Sequence, residues 1–98
     1  MLYKITPEAD NDLIGIYEYG FLNFGETQAE KYFSELESCF QFLNETPFIC
    51  RERTEFIPPV RIKHHSRHLV VYLIQGDRVL IVRILHDSMD TLRHLSHS

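Results

Sequence analysis

His68-Leu69-Val70-Val71-Tyr72-Leu73-Ile74, Gln75-Gly76-Asp77-Arg78, Val79-Leu80-Ile81-Val82-Arg83-Ile84-Leu85 is the stretch on which the fold turns. The two outer runs are apolar at almost every position and rich in β-branched residues, which is strand chemistry. Between them, Gly76 stands at the first central place of a two-residue turn, as a type II′ β-hairpin requires. The runs therefore pair antiparallel. An antiparallel sheet with one wet face alternates polar and apolar residues. These runs do not alternate, so both faces of the sheet are covered. One cover is a helix pair; the other is either a C-terminal helix or a second chain.

Working outward, Val60-Arg61-Ile62-Lys63-His64 alternates apolar with cationic residues and reads as a third strand, joined through His65-Ser66-Arg67. Upstream of it, Phe48 to Pro59 is a loop. Leu2 to Ile5 is a short first strand that ends at Thr6-Pro7, a helix start: Thr6 caps, and Pro7 fits the first helical position. Ala9, Leu13, Ile16, Tyr17, Gly20, Phe21 and Phe24 form one helical stripe, stopped by Gly25. Thr27 is a candidate cap for the next helix. Its stripe is Ala29, Tyr32, Phe33, Leu36, Cys39, Phe40 and Leu43, closed by Pro47. The short joint makes the helices an antiparallel hairpin. Ile14 and Phe42 lie off the stripes and mark a candidate second apolar edge. A short helix is expected near Ser88 to Leu95. The fold class is thus α+β: β-α-α-β-β-β, a helix hairpin on a mainly antiparallel four-stranded sheet, in one domain spanning 1–98.

With 98 residues, the chain buries only roughly 60–65% of its unfolded surface, so a partner matters to its stability. No apolar run approaches the ~18 residues of a membrane span, and Met1-Leu2-Tyr3-Lys4 starts no signal peptide. A cytoplasmic protein is expected, with Cys39 and Cys50 as reduced thiols. Charge is uneven. Residues 1–50 hold nine acids against Lys4 and Lys31; residues 51–98 hold eight cations against five acids, and all six histidines. This reads either as solvated acidic helices or as a sheet half that faces an anionic or acidic partner.

Arg83 interrupts the last strand, and His86 and Asp87 follow it. An arginine on an apolar strand needs a carboxylate or carbonyl partner; Glu52 and Glu55 are the candidates, and contact with a target is the alternative. His86 and Asp90 are spaced to cap the last helix or to form part of a target surface. His64-His65-x-x-His68 is broken by a turn and is not read as a metal site. There is no Gly-rich phosphate loop and no basic, aromatic-interleaved face, so no cofactor and no direct nucleic-acid binding are expected.

Val82-Arg83-Ile84-Leu85-His86-Asp87-Ser88-Met89-Asp90 resembles the C-terminal signature of ParE-type toxins, within the RelE/ParE superfamily. Ala9-x-x-Asp12-Leu13-x-x-Ile16-x-x-Tyr19 is similar to their first helix, and Gln28-Ala29-x-x-Tyr32 with Leu36 to their second. Pro47, the arginines after it, and Arg61 ahead of Val71-Tyr72 agree with the middle. The resemblance implies a cytoplasmic bacterial toxin of a type II toxin–antitoxin system. Such a toxin poisons DNA gyrase, with the A-type subunit of that enzyme as its target, and is neutralised by a ParD-like antitoxin that folds over it. It implies binding rather than bond chemistry. The target surface expected on these terms is Arg67, Arg83, His86, Met89, Asp90 and Arg93. The antitoxin is expected over Ile14, Tyr17, Val70, Tyr72 and Leu80. The alternative is the sister branch, a ribosome-dependent mRNA endonuclease, with Arg67 and Arg83 on the phosphate, Glu55 as base and His86 as acid. A third reading is an inactive antitoxin-binding module.

Overall fold

The computed structural model describes residues 3–88. The elements are β1 (Lys4–Ile5), α1 (Pro7–Phe24), α2 (Glu26–Glu45), β2 (Glu52–Arg53), β3 (Val60–His65), β4 (His68–Gln75) and β5 (Arg78–His86). The sheet has five strands in the order β1-β5-β4-β3-β2. All neighbours pair antiparallel except β1 with β5, which are parallel. The fifth strand is the two-residue β2, inside the stretch read from sequence as loop. The C-terminal helix expected near 88–95 falls, beyond Ser88, outside the described residues.

The β4–β5 turn has a left-handed φ of 65° at Gly76 alone, as a type II′ turn needs. Thr6 caps α1 through its hydroxyl, which accepts from the Ala9 amide, and Pro7 opens the helix. Gly25, φ 90°, is the single residue between α1 and α2. That φ belongs to glycine, and the chain reverses there in one step. Thr27 is therefore not the cap; it lies within α2, whose cap position is Gly25.

One face of the sheet packs under the helices. Leu13, Leu36, Phe40 and Leu43 meet Val70, Tyr72, Val79, Ile81 and Ile84. The other face carries a smaller core of Phe56, Val60, Val71 and Leu85, flanked by Ile62 and Val82. Phe56, from the β2–β3 loop, is 4% exposed. Part of the second cover demanded by the two-sided strands is thus a loop aromatic from the same chain.

β5 contains a bulge. Val71 pairs with Arg83 and Tyr72 with Ile81, so Val82 has no opposite residue. The bulge coincides with the point where β1 leaves the sheet for α1. Thr6 donates its backbone amide to the Ile81 carbonyl at 3.0 Å. Its hydroxyl donates to the next carbonyl, Val82, at 2.7 Å. Both carbonyls face the same edge because of the bulge.

Candidate functional site at the ends of the central strands

Past the bulge, β5 has lost β1 as a neighbour. Asp12, one and a half turns into α1, takes that place. Its Oδ2 accepts from the Ile84 backbone amide at 2.9 Å and from Arg83 Nε at 2.8 Å, and its Oδ1 accepts from Arg83 Nη2 at 3.1 Å. The Arg83 pKa is raised, first by its hydrogen bond to Asp12. Such a two-pronged arginine–carboxylate pair fixes both groups. The partner of Arg83 is therefore Asp12, not Glu52 or Glu55. Its Nε and one Nη2 proton are spent inside the chain, on one carboxylate.

His86 ends β5. Its Nδ1 accepts from the Ser88 amide at 3.2 Å and stands 2.7 Å from the Ser88 hydroxyl, which places the neutral ring's proton on Nε2. In the imidazolium form the same nitrogen would donate to Asp87, 3.4 Å away. Asp87 also lies 3.6 Å from His64 Nε2, and its backbone amide donates to the Arg67 carbonyl at 2.9 Å. Strand register sets His65, His68 and His86 in a row across β3, β4 and β5. The rings of His68 and His86 meet edge to face, 5.5 Å apart. From α2, the Tyr32 hydroxyl reaches His68 Nδ1 at 2.6 Å. Burial, then the neighbouring His86, pushes the His68 pKa down. Burial pushes that of Tyr32 up, so its hydroxyl keeps its proton. Among the described residues no group of three His, Cys, Asp or Glu is arranged to hold a metal.

Arg83 thus lies mid-strand opposite Val71, and Arg67 and His86 belong to the end of the sheet beyond it. Glu55 does not. It follows β2, which pairs with Val60 and Arg61 at the opposite end of β3, and its carboxylate binds Arg53 Nε at 2.7 Å. Its pKa is lowered, first by its own backbone amide and then by Arg53, the wrong direction for a general base. The four groups named for phosphodiester chemistry are not gathered in one place. Met89, Asp90 and Arg93 lie outside the described residues, as does any cap between His86 and Asp90.

The expected antitoxin contacts divide. Ile14 is 51% exposed, and Tyr17 and Leu80 are half-buried. Val70 and Tyr72 are 0% exposed and offer no surface, a correction to the sequence reading. They are enclosed by the helices, and the Tyr72 hydroxyl donates to the Pro47 carbonyl at 2.9 Å. Leu80 pairs with Lys4 and Leu73 and faces away from the helix hairpin, so it shares no surface with Ile14. Sequence reasoning missed Asp12, Tyr32 and His68 as site residues. A signal for Asp12 existed in the unpaired Arg83 and in its place within the first-helix pattern.

A model of the ParE toxin of type II toxin–antitoxin system, parDE, matches residues 3–91. This chain belongs to the ParE toxin family. A ParE toxin from Escherichia coli is 34% identical over 97 residues, covering 96% of this chain and 92% of that protein. The ParE1 toxins of Caulobacter vibrioides and Mycobacterium tuberculosis are each 31% identical, covering 95% of this chain and 96% of theirs. In fold, the chain superposes on a solved structure described as a chromosomal ParDE system from P. aeruginosa. The TM-score is 0.75 at 23% identity, covering 88% of this chain and 95% of that one. For a ParE-family chain, Asp12, Arg83 and the histidine row form a braced end to the sheet with polar groups on its rim.

Proposed function

We propose that this chain is the toxin of a type II toxin–antitoxin pair, that it acts in the cytoplasm by poisoning DNA gyrase through the A-type subunit of that enzyme, and that a ParD-like antitoxin neutralises it. The observation that carries this reading is the family match over residues 3–91. The sheet end supports a binding mechanism: Arg83 is committed to Asp12, and Glu55 stands at the far end. The contact groups are Arg67 and His86 at the described rim, with Met89, Asp90 and Arg93 following in sequence. Arg83 acts behind them as a positioning residue. The antitoxin covers the outer face of the helix hairpin around Ile14 and Tyr17.

The test is a supercoiling and DNA-cleavage assay with purified gyrase, adding this protein alone and then with its antitoxin. Lost supercoiling with trapped cleaved DNA, reversed by antitoxin, is the expected result. Growth arrest on expression with gyrase untouched would overturn the gyrase reading. His86→Ala and Arg67→Ala are expected to lower gyrase inhibition while antitoxin binding survives.

A further inference from the structure

The outer groove of the helix hairpin is built from Ile14, Tyr17 and Phe21 of α1 and Phe33 of α2. The Tyr17 ring meets Phe21 at 6.4 Å and Phe33 at 6.2 Å. Phe21 is 48% exposed and Leu22 80%. A spacing of three, four and seven residues places Glu18 on the face of Ile14 and Phe21, with Asp10 one turn before Ile14. On α2 the same rule places Glu30 and Glu37 around Phe33, with Glu26 one turn earlier. Lys31 points to the opposite side. Elsewhere on α2, a shallow depression of about 610 Å³ is lined by Tyr3, Ser34, Glu37, Ser38 and Gln41.

α1 and α2 together hold nine carboxylates and one cation, Lys31. Among the described residues, only Asp12 of those carboxylates has an ion-pair partner. The arginines of β2, β3 and the turns do not reach the others. An apolar stripe framed by unpaired acids repels anionic surfaces, whether lipid headgroups, nucleic acid or an acidic peptide. It is complementary to an apolar ridge flanked by lysine or arginine.

We infer that the outer groove of the α1–α2 hairpin takes a basic, amphipathic helical segment, apolar side chains on the Ile14–Tyr17–Phe21–Phe33 stripe and cations on the glutamates. This rests on the proposal that an antitoxin covers the hairpin, and it adds the chemistry of the covering segment. Helix-in-groove recognition supplies anchors at three- and four-residue spacing, which the stripe matches. The charge inverts the expectation drawn from composition, in which the basic sheet half meets an acidic partner.

The probes are three synthetic peptides of about 18 residues, long enough for several turns: an amphipathic leucine–lysine helix, its leucine–glutamate counterpart, and a lysine–serine peptide of equal charge with no apolar face. Calorimetry on the intact protein should give the leucine–lysine helix an affinity at least about tenfold above both others. That affinity should fall as salt rises. Amide shifts should centre on residues 10–21 and 26–37. Glu18→Gln/Glu30→Gln/Glu37→Gln, checked for native circular dichroism, should lose about tenfold. Preference for the leucine–glutamate helix, equal binding of the lysine–serine peptide, or shifts confined to the β2–β3 arginines would overturn the inference. Growth arrest is scored separately. A chain that arrests growth yet prefers the acidic helix loses only the charge assignment. A chain that binds the basic helix without arresting growth loses the toxin reading.

Discussion

The two halves of the helix hairpin carry similar side chains and meet different fates. Near the sheet, Ala9 and Leu13 of α1 and Leu36, Phe40 and Leu43 of α2 are at most 4% exposed. Near Gly25, among the described residues, the helices pack on each other, where Gly20 lets the Ala29 Cβ approach to within 3.5 Å of the position its own Cβ would take. There Tyr19, Phe21, Leu22 and Phe24 are between 48% and 80% exposed. Helical periodicity decides which face of a helix is apolar; the length of the sheet decides how much of that face is buried. The proximal half holds the fold together, and the distal half is free to hold something else.

The sharpest way to break this comparison is Phe40→Ala, which removes a fully buried ring beneath α2. A loss of about 3–5 kcal/mol is expected from denaturant midpoints, enough to threaten folding of so small a domain. Asp12→Ala should follow, at about 3 kcal/mol, since it strands Arg83 and the Ile84 amide together. Asp12→Asn keeps an acceptor for that amide and should recover part of the loss. An Asp12→Ala protein as stable as wild type would mean that the brace is ornamental.

At the boundary between the halves, Tyr32 ties α2 to His68, and the expected effect is a pH dependence. The folded pKa of His68 is below its ordinary 6.5, so the unfolded chain binds more protons there. Its contribution is complete above that unfolded value and is lost as pH falls through the lower folded pKa. Stability should decline on acidification below about pH 6.5. His68→Gln should flatten this part of the profile. The smallest effect belongs to the tip: Leu22→Ser should change stability by no more than about 0.5 kcal/mol. A larger loss would show that the tip is packed and would erase the distinction between the halves.

Much of the fold was legible because its signals are local. Thr6-Pro7 starts a helix, Gly25 reverses it, and Gly76 turns β4 into β5. What was not legible depends on where distant elements stop. Phe21 and Phe24 continue the apolar stripe of α1, but the sheet ends short of them. β2, at two residues, has no pattern to read. Phe56 looked like loop and is the plug of the second core. Arg83 advertised the need for a partner, yet Asp12 lies 71 residues away in sequence. Glutamates nearer in sequence to the arginine were the natural candidates. The site was legible as a strand end with a histidine; its bracing was not.

The Asp12 brace has one more consequence. A strand whose neighbour departs early exposes a row of backbone donors and acceptors, a template on which another chain can add itself. Here α1 leans back over that margin, and Thr6 and Asp12 occupy the Ile81 and Val82 carbonyls and the Ile84 amide with side-chain and cap atoms. The helix thereby leaves those three backbone groups unavailable to an added strand along this stretch of β5.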